Sequence, residues 1–134
     1  MILLDTDVLV AHLRGVEAAR DWLLEVRSRQ PLAISVVTVA ELTGGMRSPE
    51  RRAVWDLLAT LRTEPVSDPV ARQAGELMRQ YRRSHSGIGL GDYLIAATAT
   101  THGLDLATLN VRHFPMFPGL AAPFSWGSSS RSSQ

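Results

Sequence analysis

Short runs of purely apolar or β-branched residues alternate along this chain with longer stretches whose apolar side chains recur every third and fourth position, and this alternation constrains the fold more than any other feature. Met1-Ile-Leu-Leu, Leu32-Ala-Ile-Ser-Val-Val37 and Leu106-Ala-Thr-Leu109 are the runs. They are too short for helices and, apart from Ser35, apolar or β-branched, as strands buried on both faces are. Between them lie helical patterns at Val16 to Arg27, with Ala19, Trp22, Leu23 and Val26 on one face, from Pro49 to Leu61, and from Pro69 to Ser84. Strands separated by helices pair in parallel through crossovers, so the chain predicts an α/β fold with a parallel sheet. A weaker run, Thr63 to Ser67, carries Pro65 and reads as an edge strand.

A chain of 134 residues is a single-domain length. We expect one domain over residues 1–124 and a disordered tail over 125–134, where glycine and serine dominate. There is no cysteine, so disulfides, thiolate zinc sites and a cysteine nucleophile are excluded together. No stretch approaches the roughly 20 apolar residues of a spanning helix, and the first residues lack the charge pattern of a secretion signal. The expectation is a cytoplasmic protein with no membrane partner. All 14 basic residues are arginine, which removes lysine nucleophiles and lysine phosphate clamps. Arg47, Arg51 and Arg52 form one cluster and Arg79, Arg82 and Arg83 another; each reads as a solvated helix face or as a set of phosphate contacts.

Polar residues stand where these elements change. Asp5 follows the first apolar run, Glu41 lies shortly after the second, Asp92 opens an alanine-rich helix running to His102 after a glycine-rich loop, and Asn110 follows Leu109. Open α/β sheets carry their sites at the carboxyl ends of the strands. Three acids gathered there suit magnesium or manganese, hard cations that take oxygen ligands, and the set reads as a metal-dependent phosphodiesterase. Each residue also has a plainer reading. Asp5 can close an Asx-turn, and Asp7 caps the first helix. Thr38-Val-Ala-Glu41 has the form of a capping box, and Asp92 can cap its own helix, whose amino terminus favours an anion in either case. His113, beside Phe114 and Pro115, reads first as a packing or capping residue and second as a general base.

Four segments together, Asp5-Thr-Asp7, Ser35-Val-Val-Thr-Val-Ala-Glu41-Leu, Gly89-Leu-Gly-Asp92-Tyr-Leu-Ile-Ala-Ala-Thr-Ala and Leu109-Asn110-Val-Arg-His113-Phe114, resemble the PIN-domain ribonucleases, and among them the VapC-type toxins of bacterial type II toxin-antitoxin pairs. The resemblance runs from Met1 to about Phe117. It implies a three-layer fold with a mostly parallel sheet of four or five strands flanked by helices, and an endoribonuclease needing Mg2+ or Mn2+. It implies that Asp5, Glu41 and Asp92 are the metal ligands and that Asn110 completes the catalytic set at a position where some members carry an acid. By analogy Thr6 orients Asp5 or a water. The partners implied are an RNA substrate, a cognate antitoxin and a second copy in a homodimer or larger toxin-antitoxin assembly. The antitoxin surfaces expected are the apolar faces around Val8 to Leu13 and Trp22, and around Trp55. Two other readings stand beside this one: a non-catalytic binding module, and an aspartyl-nucleophile phosphatase for which the chain lacks the usual lysine.

Overall fold

The computed structural model describes residues 1–126. Four strands, β1 (Ile2–Leu4), β2 (Leu32–Ser35), β3 (Arg62–Glu64) and β4 (Asp105–Ala107), form one sheet in the order β3-β2-β1-β4, with every pairing parallel. Six α-helices connect them: α1 (Thr6–Leu13), α2 (Glu17–Arg27), α3 (Val36–Gly45), α4 (Arg51–Leu58), α5 (Asp68–Tyr81) and α6 (Leu90–His102).

The strand period of two divides the core. Leu3, Ala33 and Leu106 point to one face, where Val70, Ala74 and Leu77 of α5 and Ile95, Ala96 and Ala99 of α6 cover them. Leu4, Ile34 and Ala107 point to the other, against Val8 and Leu9 of α1, Leu23 and Val26 of α2, and Val54 of α4. This is the three-layer arrangement expected, with the lower of the two strand counts. β3 lies at an edge as its proline implied, although Pro65 itself falls just beyond it.

Several boundaries moved for local reasons. Val36 and Val37 are β-branched and read as strand, yet they open α3, because the Ser35 hydroxyl accepts from the Val37 amide at 3.0 Å and ends β2 there. The capping box at Thr38 and Glu41 is therefore not formed: Thr38 is the third residue of α3 and fully buried. Asp5, not Asp7, caps α1, its Oδ1 accepting from the Thr6 amide at 2.8 Å. Gly89 caps α6, which leaves Asp92 inside the first turn. Gly103 ends that helix at φ +65°, a left-handed conformation that glycine adopts without strain. Of the tail expected over 125–134, residues 127–134 lie outside the described residues, while Ser125 and Trp126 are described.

From β1 the chain moves outward to β2 and β3, then returns through α5 and α6 to place β4 on the opposite side of β1. The strand order thus reverses between β1 and β4, and the crevice beyond their carboxyl ends is where such sheets bind ligands.

Candidate active site

Asp5 leaves β1 at that crevice with 5% of its surface exposed. Its backbone amide continues the ladder to the Ala107 carbonyl at 2.9 Å, and its Oδ2 accepts from the buried Thr108 hydroxyl at 2.7 Å. Burial, then the neighbouring Asp7 charge, push its carboxyl up to about 7, against donation by Thr108 and the Thr6 amide. Asp7, in the first turn of α1, reaches across to the end of β4, where both its oxygens accept from the Leu109 amide at 3.2 and 3.1 Å. Its carboxyl is also raised, chiefly by burial. The role assigned to Asp7 as a helix cap is replaced by this tie between the two strand ends.

Glu41 comes from the middle of α3, and its carboxylate accepts from the Thr6 hydroxyl, which is itself bonded to the Thr38 hydroxyl at 2.9 Å. Thr6 therefore orients Glu41; the family resemblance had tied it to Asp5 or to a water. Gly91 matters here in a way the motif did not show. A Cβ at Gly91 would stand 3.2 Å from Glu41 Oε2, so the missing side chain lets α3 and α6 bring their acids together. Asp92 points from the first turn of α6, and its Oδ2 lies 2.7 Å from His113 Nδ1. His113 sits in the short 3-10 turn Val111–His113, and neither residue is fully covered. Asn110 precedes that turn, its amide nitrogen donating to Thr108 Oγ1 at 3.0 Å and its side chain open to solvent.

Asp5, Glu41, Asp92 and Asn110, separated by most of the chain, line one cavity of about 370 Å³ together with Thr6, Asp7 and Trp126. All four residues expected in the site are thus brought together. His113, which read first as a packing or capping residue, bonds Asp92, and Thr108, Gly91 and Trp126 join the surroundings of the acids with no role assigned to them from the sequence. The bond to Asp92 spans 21 residues and that from Thr108 to Asp5 spans 103, so no local pattern carried them. Among the described residues, no three acid, histidine or cysteine side chains stand close enough to make a finished metal shell. The donor chemistry still fits a hard cation: the candidate ligands offer oxygens, and the Asp5 carboxyl, raised first by burial and then by the Asp7 charge, is a group whose charged form a bound cation would favour. An ion held by one or two carboxylates that keeps its own waters needs no finished shell.

A fold of this topology with clustered acids at the β1 and β4 ends defines the class, and the PIN domain model matches residues 2–117. The chain belongs to the PIN-domain family. It is 66% identical to Ribonuclease VapC10 of Mycobacterium tuberculosis over 93% of this chain and 94% of that protein. Ribonuclease VapC19 of the same organism is 44% identical over 92% of this chain and 100% of its own length. Among solved structures, a toxin-antitoxin complex from Klebsiella pneumoniae superposes with a TM-score of 0.78 at 26% identity, covering 94% of this chain and 100% of the matched one.

Proposed function

We infer that this chain is the ribonuclease toxin of a toxin-antitoxin pair, a VapC-type hydrolase of RNA phosphodiester bonds. One observation carries the reading: Asp5, Glu41 and Asp92 line a single cavity at the strand ends of a protein two-thirds identical to a named VapC ribonuclease. Asp5, Asp92 and Glu41 are the residues to hold Mg2+ or Mn2+. When bound, the ion supplies an acidified water and neutralises charge on the phosphate.

The chain's own residues do the positioning. Thr108 and the amide of Thr6 fix both oxygens of Asp5, and the Thr6 hydroxyl fixes Glu41. His113 orients Asp92 through Nδ1 and can hold a proton there. Asn110 offers an uncharged amide that can donate to a phosphate oxygen or accept from a water.

The antitoxin's seat, in this reading, is a groove of about 400 Å³ between α1, α3 and α4, lined by Val10, Leu13, Leu42, Met46 and Val54 and reaching Glu41. An apolar trough opening beside the acids suits an amphipathic helix, whose docking also obstructs the site. It shares Val10 and Leu13 with the surface expected from the sequence; Trp22 is instead taken up by Phe124, and Trp55 remains exposed.

Purified protein is expected to cut single-stranded RNA with Mg2+ or Mn2+ and to stop when a chelator is added. Asp92→Asn is expected to abolish cleavage and growth toxicity with no loss of melting temperature. A chelator-insensitive enzyme, or an Asp92→Asn variant as active as the parent, refutes the assignment.

A further inference from the structure

Trp126 is out of place for a residue following a core that ends by about Phe124. Its side chain is 43% exposed, and among the described residues no other aromatic ring pairs with it. Yet the segment that delivers it is tied down. Phe114 is fully buried, Phe117 and Leu120 pack on the α5–α6 side of the sheet, and Phe124 packs on Trp22 on the opposite side, their rings 6.2 Å apart. The chain thus passes from one side of the sheet to the other and sets Trp126 two residues beyond an anchored phenylalanine, at the rim of the acid cavity.

Trp126 also lines a second cavity, of about 430 Å³. Leu109, Ala122 and Phe124 give it apolar walls, Asn110 and Ser125 give it an amide and a hydroxyl, and its one carboxylate, Asp7, is engaged by the Leu109 amide. It shares Asp7, Asn110 and Trp126 with the acid cavity, so the two are adjoining compartments of one cleft. The compartments differ in chemistry. The acid one accepts a phosphate only with a cation, whereas the second suits a flat, uncharged ring with hydrogen-bonding edges, because an indole offers a stacking face and an amide both donates and accepts.

We propose that this second compartment holds a nucleobase of the RNA next to the scissile phosphodiester, with the Trp126 indole as its stacking face and Asn110 at its edge. The proposal rests on the ribonuclease reading and adds a specificity determinant to it. Among the described residues no aromatic ring covers the exposed indole, and a stacked base would. Stacking tolerates any base, so the indole supplies affinity and the amide supplies preference.

The test uses the full chain with calcium as the only divalent cation, so that binding is read without cleavage. The probes are a fluorescein-labelled single-stranded oligoadenylate, an abasic ribose-phosphate oligomer of the same length, and an oligoadenylate carrying 2-aminopurine. Trp126→Ala is expected to weaken oligoadenylate binding by about tenfold, the scale of one lost base-aromatic stack, and Trp126→Phe to stay within about twofold. Binding of the abasic oligomer is expected to be equal in all three proteins, and quenching of 2-aminopurine to be lost only in Trp126→Ala. Circular dichroism melting is expected to be unchanged. Equal oligoadenylate affinity in Trp126→Ala overturns the proposal and leaves the ring to a protein partner. Equal losses on the base-bearing and abasic probes overturn it as well, since the contact is then with the backbone. The two readings fail separately: a protein that binds with Trp126 dependence but never cuts with Mn2+ keeps the stacking face and loses the nuclease, while one that cuts equally well without the indole keeps the nuclease and loses the pocket.

Discussion

Asp5 shows how a single carboxylate can serve the fold and the site at once. One oxygen caps α1 and the other takes the Thr108 hydroxyl, in a position that is almost wholly buried. Thr108 donates to Asp5 and so favours its charged form against burial and the Asp7 charge. Thr108→Val keeps shape and removes the donor. A hydrogen bond to a charged group is worth about 1.5–3 kcal/mol, so divalent-metal affinity is expected to fall by about tenfold or more, read by calorimetric titration with Mn2+, alongside a comparable loss of cleavage rate. Unchanged metal affinity would show that Thr108 serves packing alone. The identities of the acids were legible in the chain; their partners were not. Asp7 read as a cap because it follows a strand by a few residues, but Asp5 already occupies the cap and frees Asp7 to reach the Leu109 amide.

Among the elements, α6 does the most to assemble the site. Gly91 leaves its first turn bare on the side facing Val37 and Glu41 of α3, which permits Glu41 and Asp92 to share a cavity. Gly91→Ala places a methyl group against Glu41 Oε2. Because that carboxylate is the end of a flexible side chain, the helix is expected to tolerate the change and the acid to swing away. Melting temperature should then hold or rise slightly, as alanine favours helix, while the cleavage rate falls severalfold; an equally active Gly91→Ala enzyme would remove Glu41 from the site. The helices α2, α5 and α6 were readable from apolar spacing and glycine stops. The start of α3 was not, because Val36-Val37 has the composition of a strand and a single serine hydroxyl decides the matter.

For the whole molecule, the cluster of acids makes folding stability depend on pH in an unusual direction. The unfolded chain releases the Asp5 proton near the ordinary value of 3.8, while the folded protein retains it to about 7. Between those values the folded state binds more protons, so rising pH destabilises it. Asp7, also raised, acts in the same sense. The metal-free protein is thus expected to melt at a lower temperature at pH 8 than at pH 5. Mn2+ should recover the difference at pH 8 and do little at pH 5, and Asp5→Asn should flatten the dependence, all read by thermal melts. A metal-free protein that melts higher at pH 8 would contradict the raised Asp5 and Asp7 carboxyls, which burial causes first. The exposed arginines Arg79, Arg82 and Arg83, for which no carboxylate lies within ion-pair reach among the described residues, close α5 and follow it, on the loop leading into α6.

Periodicity and apolar runs were enough to determine the α/β class and the parallel sheet, and the placement of polar residues at their ends singled out three acids and an amide as candidates, because these are local properties: side-chain spacing decides which face is buried, and strand ends decide where polar groups emerge. Only the tertiary structure decided what each acid bonds to, that His113 belongs to Asp92, and that Trp126 stands at the cleft. Those pairings join residues far apart in the chain, brought together by the order in which strands cross and by helices packing on both faces of the sheet, and no local pattern encodes such a contact.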